Sequence, residues 1–273
     1  SEDVHRFYIS TFFDDKFDID LFLIKDLWTQ ELAAEEFIAP FDLADQYDFV
    51  PAAKQGAQYH NQLYGAPIYS DALVSFFKRE QTTGRKVYLE NEPVDAVGHI
   101  WSLLHTGIPA AKCIQEYGVY EICDNIKGLF QENVLSMTAW LSAADVMQKY
   151  YLVESRGIDI QFPDPILTSS KVVAVNATSP EKDKAFEVIQ YLLRDEVQLK
   201  MLKAKTALPV LTKHYIDPSI CDACPYITEV SYKNFSTFPL RTDYEEKQHR
   251  LWILLDSDRM EQEELTEALA FLN

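Results

Sequence analysis

Glycine is scarce in this chain, with 8 among 273 residues, against about 7% in ordinary proteins. Loops that cradle phosphate need glycine where backbone must approach an anion, and neither a Walker motif nor a dinucleotide fingerprint occurs. Cysteine is scarcer still. Cys113, Cys123, Cys221 and Cys224 are too few for a disulfide framework at this length, and they leave two bridges, one or none open. No apolar run approaches the roughly 20 residues that cross a bilayer. The opening Ser1-Glu2-Asp3-Val4-His5-Arg6 has neither a basic segment nor an apolar one, so the chain as given reads as soluble, any export signal having already gone. Basic side chains are also in deficit: 25 Lys and Arg against 43 Asp and Glu give a net charge of −18. Such a surface repels phosphate backbones and anionic headgroups, which speaks against nucleic-acid binding.

Catalytic motifs are missing too. There is no Gly-x-Ser-x-Gly elbow, and no His-Glu-x-x-His among the 6 histidines. Cys221-x-x-Cys224 has no second Cys/His pair at zinc spacing and is flanked by prolines, so a local disulfide or two plain thiols is the simpler reading, with no metal and no cofactor expected. Carboxylates are plentiful, but nothing in linear order selects a raised-pKa acid beside an ionised partner. The clusters Asp14-Asp15, Glu35-Glu36 and residues 261–264 read as solvated faces.

What remains is an ordinary globular composition, 47% hydrophobic and 13% aromatic, in a chain long enough for two lobes or one large domain. Phe17-Asp-Ile-Asp-Leu-Phe-Leu-Ile24 reads as a strand. It delivers Asp26 and Trp28 to a turn, and residues 29–38 follow as a helix closed by Pro40. A Gly65/Pro67 turn opens a β-prone run through Phe77, and residues 94–104 carry helical spacing. Residues 125–130 and 143–152 read as helices around a buried strand over 134–140, and residues 171–176 as another strand. Ser179-Pro180-Glu181 then supplies an N-cap, a proline at the first position and an early acid, opening a helix to Leu193 with an apolar face of Ala185, Val188, Ile189 and Leu192. Proline punctuation after Leu208 predicts a loop-rich stretch, before helical runs from Tyr244 and over 266–272. Alternating strands and helices in both halves indicate α/β architecture.

Aromatic and charged side chains gather at element ends: Asp26 and Trp28, Tyr69 and Asp71, Trp140, and Arg241 with Tyr244. Sugar recognition uses this mixture, because carboxylates and Arg hold hydroxyls while flat rings cover the apolar C–H patches of a pyranose. The plainer alternative makes Trp28, Trp140 and Tyr69 core residues.

These segments, together with Leu63-Tyr-Gly-Ala-Pro-Ile-Tyr-Ser-Asp71, Leu104-His-Thr-Gly-Ile108, residues 130–140, Val173-Ala-Val-Asn-Ala-Thr-Ser179 and the stretch from Tyr215 to Arg241, resemble the family 1 extracellular solute-binding proteins of ABC sugar importers, in the trehalose/maltose-binding branch. The resemblance implies an α/β, two-lobed periplasmic-binding-protein-like fold of type II that closes around a sugar by hinge motion. It places residues 1–77 in the first lobe and first crossover, 78–168 mainly in the second lobe, and 169–273 in the return crossover, first-lobe helices and C-terminal helices. Asp26, Tyr69, Asp71, Trp140 and Arg241 fall at its ligand-contact positions, Asp26, Asp71 and Arg241 for hydroxyls and Tyr69 and Trp140 for stacking, with Trp28 beside them. Ser169 and Ser170 stand where relatives show a Gly-Gly pair, and Ser142 replaces an aromatic residue. An opening strand–helix–strand and a block after Phe77 are missing, so either the chain omits parts of a longer protein or its first lobe is cut down and incomplete.

The function this implies is a non-enzymatic receptor that delivers a sugar, such as a disaccharide, to an ABC permease outside the cytoplasm, any membrane tether lying outside these residues. The competing readings are the ligand-sensing part of a cytoplasmic regulator and a glycosidase using Asp26 or Asp71.

Overall fold

The computed structural model describes residues 19–41, 46–79, 86–90, 121–123, 126–130, 134–151, 157–204, 206–223, 226–228, 230 and 232–237. The expected helices over 94–104, from Tyr244 and over 266–272, and the residues Cys113, Cys224 and Arg241, lie outside them. Among the described residues, one compact unit takes those up to Asp71 and those from Thr168 on, and a second takes those from Ala72 to Leu167. Two strands contribute to both: β4 (Ala66–Lys78) passes from the first unit to the second after Asp71, and β9 (Ile166–Val175) returns after Leu167.

In the first unit, β1 (Leu21–Lys25) pairs antiparallel with β9, Leu21 opposite Val175 and Lys25 opposite Lys171. The period-two pattern turns Phe22 and Ile24 into the core and leaves Leu23 outward. β9 also neighbours β4 and β10 (Phe235–Thr237). A hairpin of β2 (Gln58–Tyr59) and β3 (Gln62–Leu63) turns through His60 and Asn61, both at positive φ as a two-residue loop of that hand requires. The core gathers Phe22, Ile24, Leu32, Phe41, Val172 and Ile189.

A 3-10 turn, Asp26–Trp28, leads from β1 into α1 (Thr29–Ala34), which stops before the expected Ile38. Two bonds explain the early end. The Phe37 amide donates to the Leu32 carbonyl at 2.9 Å and the Glu36 amide to that of Ala33 at 3.1 Å. Together they form a Schellman motif, with Glu36 in the left-handed position at φ 58 and Phe37 folded back toward Leu32. Glycine suits that position better than any residue with a Cβ. Glu36→Gly is expected to stabilise the protein by about 0.5–1 kcal/mol, read as a higher urea midpoint; a lower midpoint would count against the strain.

α2 (Pro51–Gly56) begins on proline, as a first helical turn allows. α4 (Lys182–Leu192) starts later than Ser179 predicts. Ser179 donates to Asp20 Oδ1 at 2.5 Å and accepts from the Glu181 amide at 3.0 Å, so it closes a turn before the helix instead of capping it. The buried stripe is Ala185, Ile189 and Leu193, and Val188, expected inside, is 44% exposed. α5 (Asp195–Ala204) follows, and the stretch read as loop contains α6 (Pro218–Ala223). Asp217 starts it by accepting from the Ser219 amide at 2.8 Å, with proline at the first position. Cys221 on this helix is a free, half-buried thiol.

In the second unit β4 pairs antiparallel with β7 (Val134–Trp140), from Leu73 opposite Trp140 to Phe77 opposite Ser136. Its other edge takes β8 (Ile158–Gln161), Ser75 standing opposite Gln161. β7 runs parallel to β5 (Lys86–Glu90), which pairs in parallel with β6 (Glu121–Cys123). The expected helix over 125–130 is a 3-10 segment, Ile126–Phe130, with Gly128 at its middle, where an α-helix is least favoured. α3 (Ala143–Tyr150) follows β7 as expected and ends sooner, at Tyr150. Val74, Phe76, Met137 and Ala139 are fully enclosed. Among the described residues no helix is long and apolar enough to cross a membrane.

Candidate functional site

The first unit brings three of the predicted residues together. Asp26 leaves the end of β1 in the 3-10 turn and is only 2% exposed. Its Oδ1 accepts from the Ser169 hydroxyl at 2.8 Å and from the Leu27 amide at 3.0 Å, and its Oδ2 accepts from the Ser170 amide at 2.6 Å. Ser170 continues the chain of contacts, its hydroxyl 2.8 Å from that of Ser70 on β4. Ser70 is held in turn by backbone bonds with Leu208, its amide donating at 2.9 Å and its carbonyl accepting at 2.8 Å. The cluster thus ties the turn after β1 to β9, β4 and the Leu208 segment, within two residues of the points where β4 and β9 pass between units.

Burial pushes the Asp26 carboxyl above its ordinary range, because the charged form loses water; the hydrogen bonds from Ser170, Ser169 and Leu27 and the nearby Lys171 charge oppose that rise. Gly56 on α2 makes room for the group. A Cβ there would stand 2.8 Å from both the Cβ and Oδ2 of Asp26. These bonds turn Ser169 and Ser170 inward to the protein, and all three residues are buried.

Trp28, 6% exposed, packs in the core of the same unit. Tyr69 and Asp71 flank Ser70 and by strand alternation point to the opposite face of β4, both half-buried, with Tyr69 against the core. Trp140 belongs to the second unit, at the end of β7 just before α3, and is 9% exposed. Arg241 lies outside the described residues. The linear reading did not single out Ser70 or Gly56. Ser70 carried a signal, as a polar residue at an inward position between Ile68 and Ala72 that calls for a partner. Gly56 carried none.

A carboxylate enclosed by protein donors orients its neighbours; half-buried Tyr and Asp side chains on a strand can offer a ring face and an acceptor to a polyhydroxylated ligand. Among the described residues no group of three or more His, Cys, Asp and Glu is arranged to hold a metal ion.

No protein-family model and no curated protein matches the sequence. The fold is shared with solved structures. Maltose-bound MalE3 of T. maritima is 15% identical with a TM-score of 0.73, over 97% of this chain and 86% of that one. The sugar-binding protein MalE of the phytopathogen Xanthomonas citri is 12% identical with a TM-score of 0.74, over 98% of this chain and 86% of that one. An ABC transporter solute-binding protein of Agrobacterium radiobacter in complex with ribitol is 13% identical with a TM-score of 0.68, over 99% of this chain and 88% of that one. The chain therefore has the two-lobed periplasmic-binding-protein-like fold.

Proposed function

We propose that this protein is a non-enzymatic receptor for a sugar or polyol, such as a disaccharide, which it delivers to an ABC permease outside the cytoplasm. The observation that carries this reading is a fold held in common with sugar- and polyol-bound proteins over nearly the whole chain. The side chains proposed to meet the ligand are Tyr69, Asp71, Trp140 and Arg241. Asp71 and Arg241 hold hydroxyls, and Tyr69 and Trp140 cover the C–H faces of the ring, because oriented charged groups and flat apolar rings recognise the two kinds of surface a sugar presents. Asp26 acts indirectly, by fixing Ser169 and Ser170 in place on β9.

Calorimetric titration with trehalose, maltose, other oligosaccharides, mannitol and ribitol tests this reading. One or more should give saturable heat and a raised unfolding temperature. Tyr69→Ala and Trp140→Ala should each weaken that ligand by about tenfold or more, roughly 1.4 kcal/mol per factor of ten. No heat and no thermal shift with any of them at millimolar concentration would reject the proposal.

A further inference from the structure

Three hydroxyls in the second unit have no hydrogen-bond partner among the described residues, although their atoms are sealed from solvent: those of Ser75 on β4 and of Ser136 and Thr138 on β7. Burying a hydroxyl unpaired is unfavourable, and nearly every such group in a folded protein is satisfied by protein or by ordered water. These three form one patch. Ser75 stands directly opposite Thr138 in the β4–β7 ladder, so both leave the same face of the sheet, and Ser136, two residues before Thr138, shares that face. Within the β4–β7 ladder its neighbours are apolar, Leu73 with Trp140 at one end and Phe77 beside Ser136 at the other, while on the other side of β4 the polar Gln161 of β8 stands opposite Ser75.

Residues directly opposed across two strands have Cβ atoms about 4.5–5.5 Å apart. Two hydroxyls on such a pair can bond to each other directly or be bridged by one water at about 2.8 Å from each oxygen. Here they make no bond to each other. We infer that Ser75, Thr138 and Ser136 form a binding site for a single internal water molecule that bridges β4 to β7. Three polar partners match what an internal water ordinarily has. A sugar or an ion has no route to these atoms, since all three residues have 0% exposure, and water is the smallest occupant with both donors and acceptors to offer.

Thr138→Val tests the site because it removes the hydroxyl and keeps the shape. If the hydroxyl holds a water, its loss should lower the unfolding temperature by about 2–4 °C. Ser75→Ala should do the same, and the double variant should lose clearly less than the sum, since both singles release the same molecule. If the hydroxyls are bare, Thr138→Val removes only a desolvation penalty and the temperature should hold or rise, which overturns the inference. Thr138→Ser keeps the hydroxyl and should keep the water. Oxygen-17 magnetic relaxation dispersion reads occupancy without relying on stability: the full chain should show one more long-lived water than the folded double variant, and equal counts would overturn the inference.

Discussion

Gly65→Ala should lower the free energy of unfolding by about 3–5 kcal/mol, the sum of an overpacked contact and a backbone angle that side chains avoid. Gly65 sits at φ 150, immediately before β4. A Cβ there would stand 2.6 Å from Val172 Cγ1, 2.8 Å from the Val173 carbonyl oxygen and 3.3 Å from Ala174 Cα. Two of those atoms are backbone of β9, and the same residues pair with β1, Val172 opposite Ile24, Val173 opposite Leu23 and Ala174 opposite Phe22. The strand cannot retreat without opening that ladder and the core beneath it. Chemical denaturation should show the loss, and amide hydrogen exchange should accelerate first along β1 and β9. A variant whose midpoint stays within about 0.5 kcal/mol of the parent, the range of ordinary surface changes, would show that the strand gives way easily.

Asp26→Ala should cost about 3 kcal/mol, because three donors lose their acceptor inside the protein, each such loss costing about 1–3 kcal/mol, while removal of a desolvated carboxylate returns part of the cost. The serines it holds lie 143 and 144 residues away in the chain, so the change should also loosen β9 beside β4. The pH dependence has a definite sign. Burial raises the folded-state value above the unfolded one, so the contribution of Asp26 is fully present below the ordinary aspartate range, near 3.8, and is lost as pH rises through the folded value. The stability difference between the parent and Asp26→Asn should therefore be largest in acid and shrink as pH increases. A difference that instead grew with pH would show that the hydrogen bonds outweigh burial.

The two substitutions probe different kinds of information. The place of Gly65 at a strand entrance is visible in linear order, where Gly65 and Pro67 bracket the start of a β-prone run. The need for glycine there is not visible, since it comes from Val172 and Val173, more than a hundred positions further along. Asp26 likewise stands out beside Trp28 at the end of a predicted strand. Nothing local distinguishes a carboxylate that faces a ligand from one enclosed by protein donors, and the choice was made by Ser169 and Ser170 arriving on β9. The same limit explains Val188. Helical spacing groups it with Ile189, and only the placing of α4 on its core narrows the buried stripe to Ala185, Ile189 and Leu193.

Local pattern by itself determined the class of the fold: the strand alternation in β1, the extended runs that became β4, β7 and β9, the helix after Ser179, and the aromatic and acidic residues set at element ends. Those features rest on side-chain period and on turn and cap chemistry, which act over a few residues. Tertiary structure alone decided which polar groups were consumed inside the protein, that α1 stopped at Ala34 ahead of the left-handed Glu36, and that Ser75, Ser136 and Thr138 share one face of the sheet in a sealed patch. Burial and hydrogen-bond pairing depend on neighbours brought in from distant parts of the chain, and no reading of adjacent residues contains them.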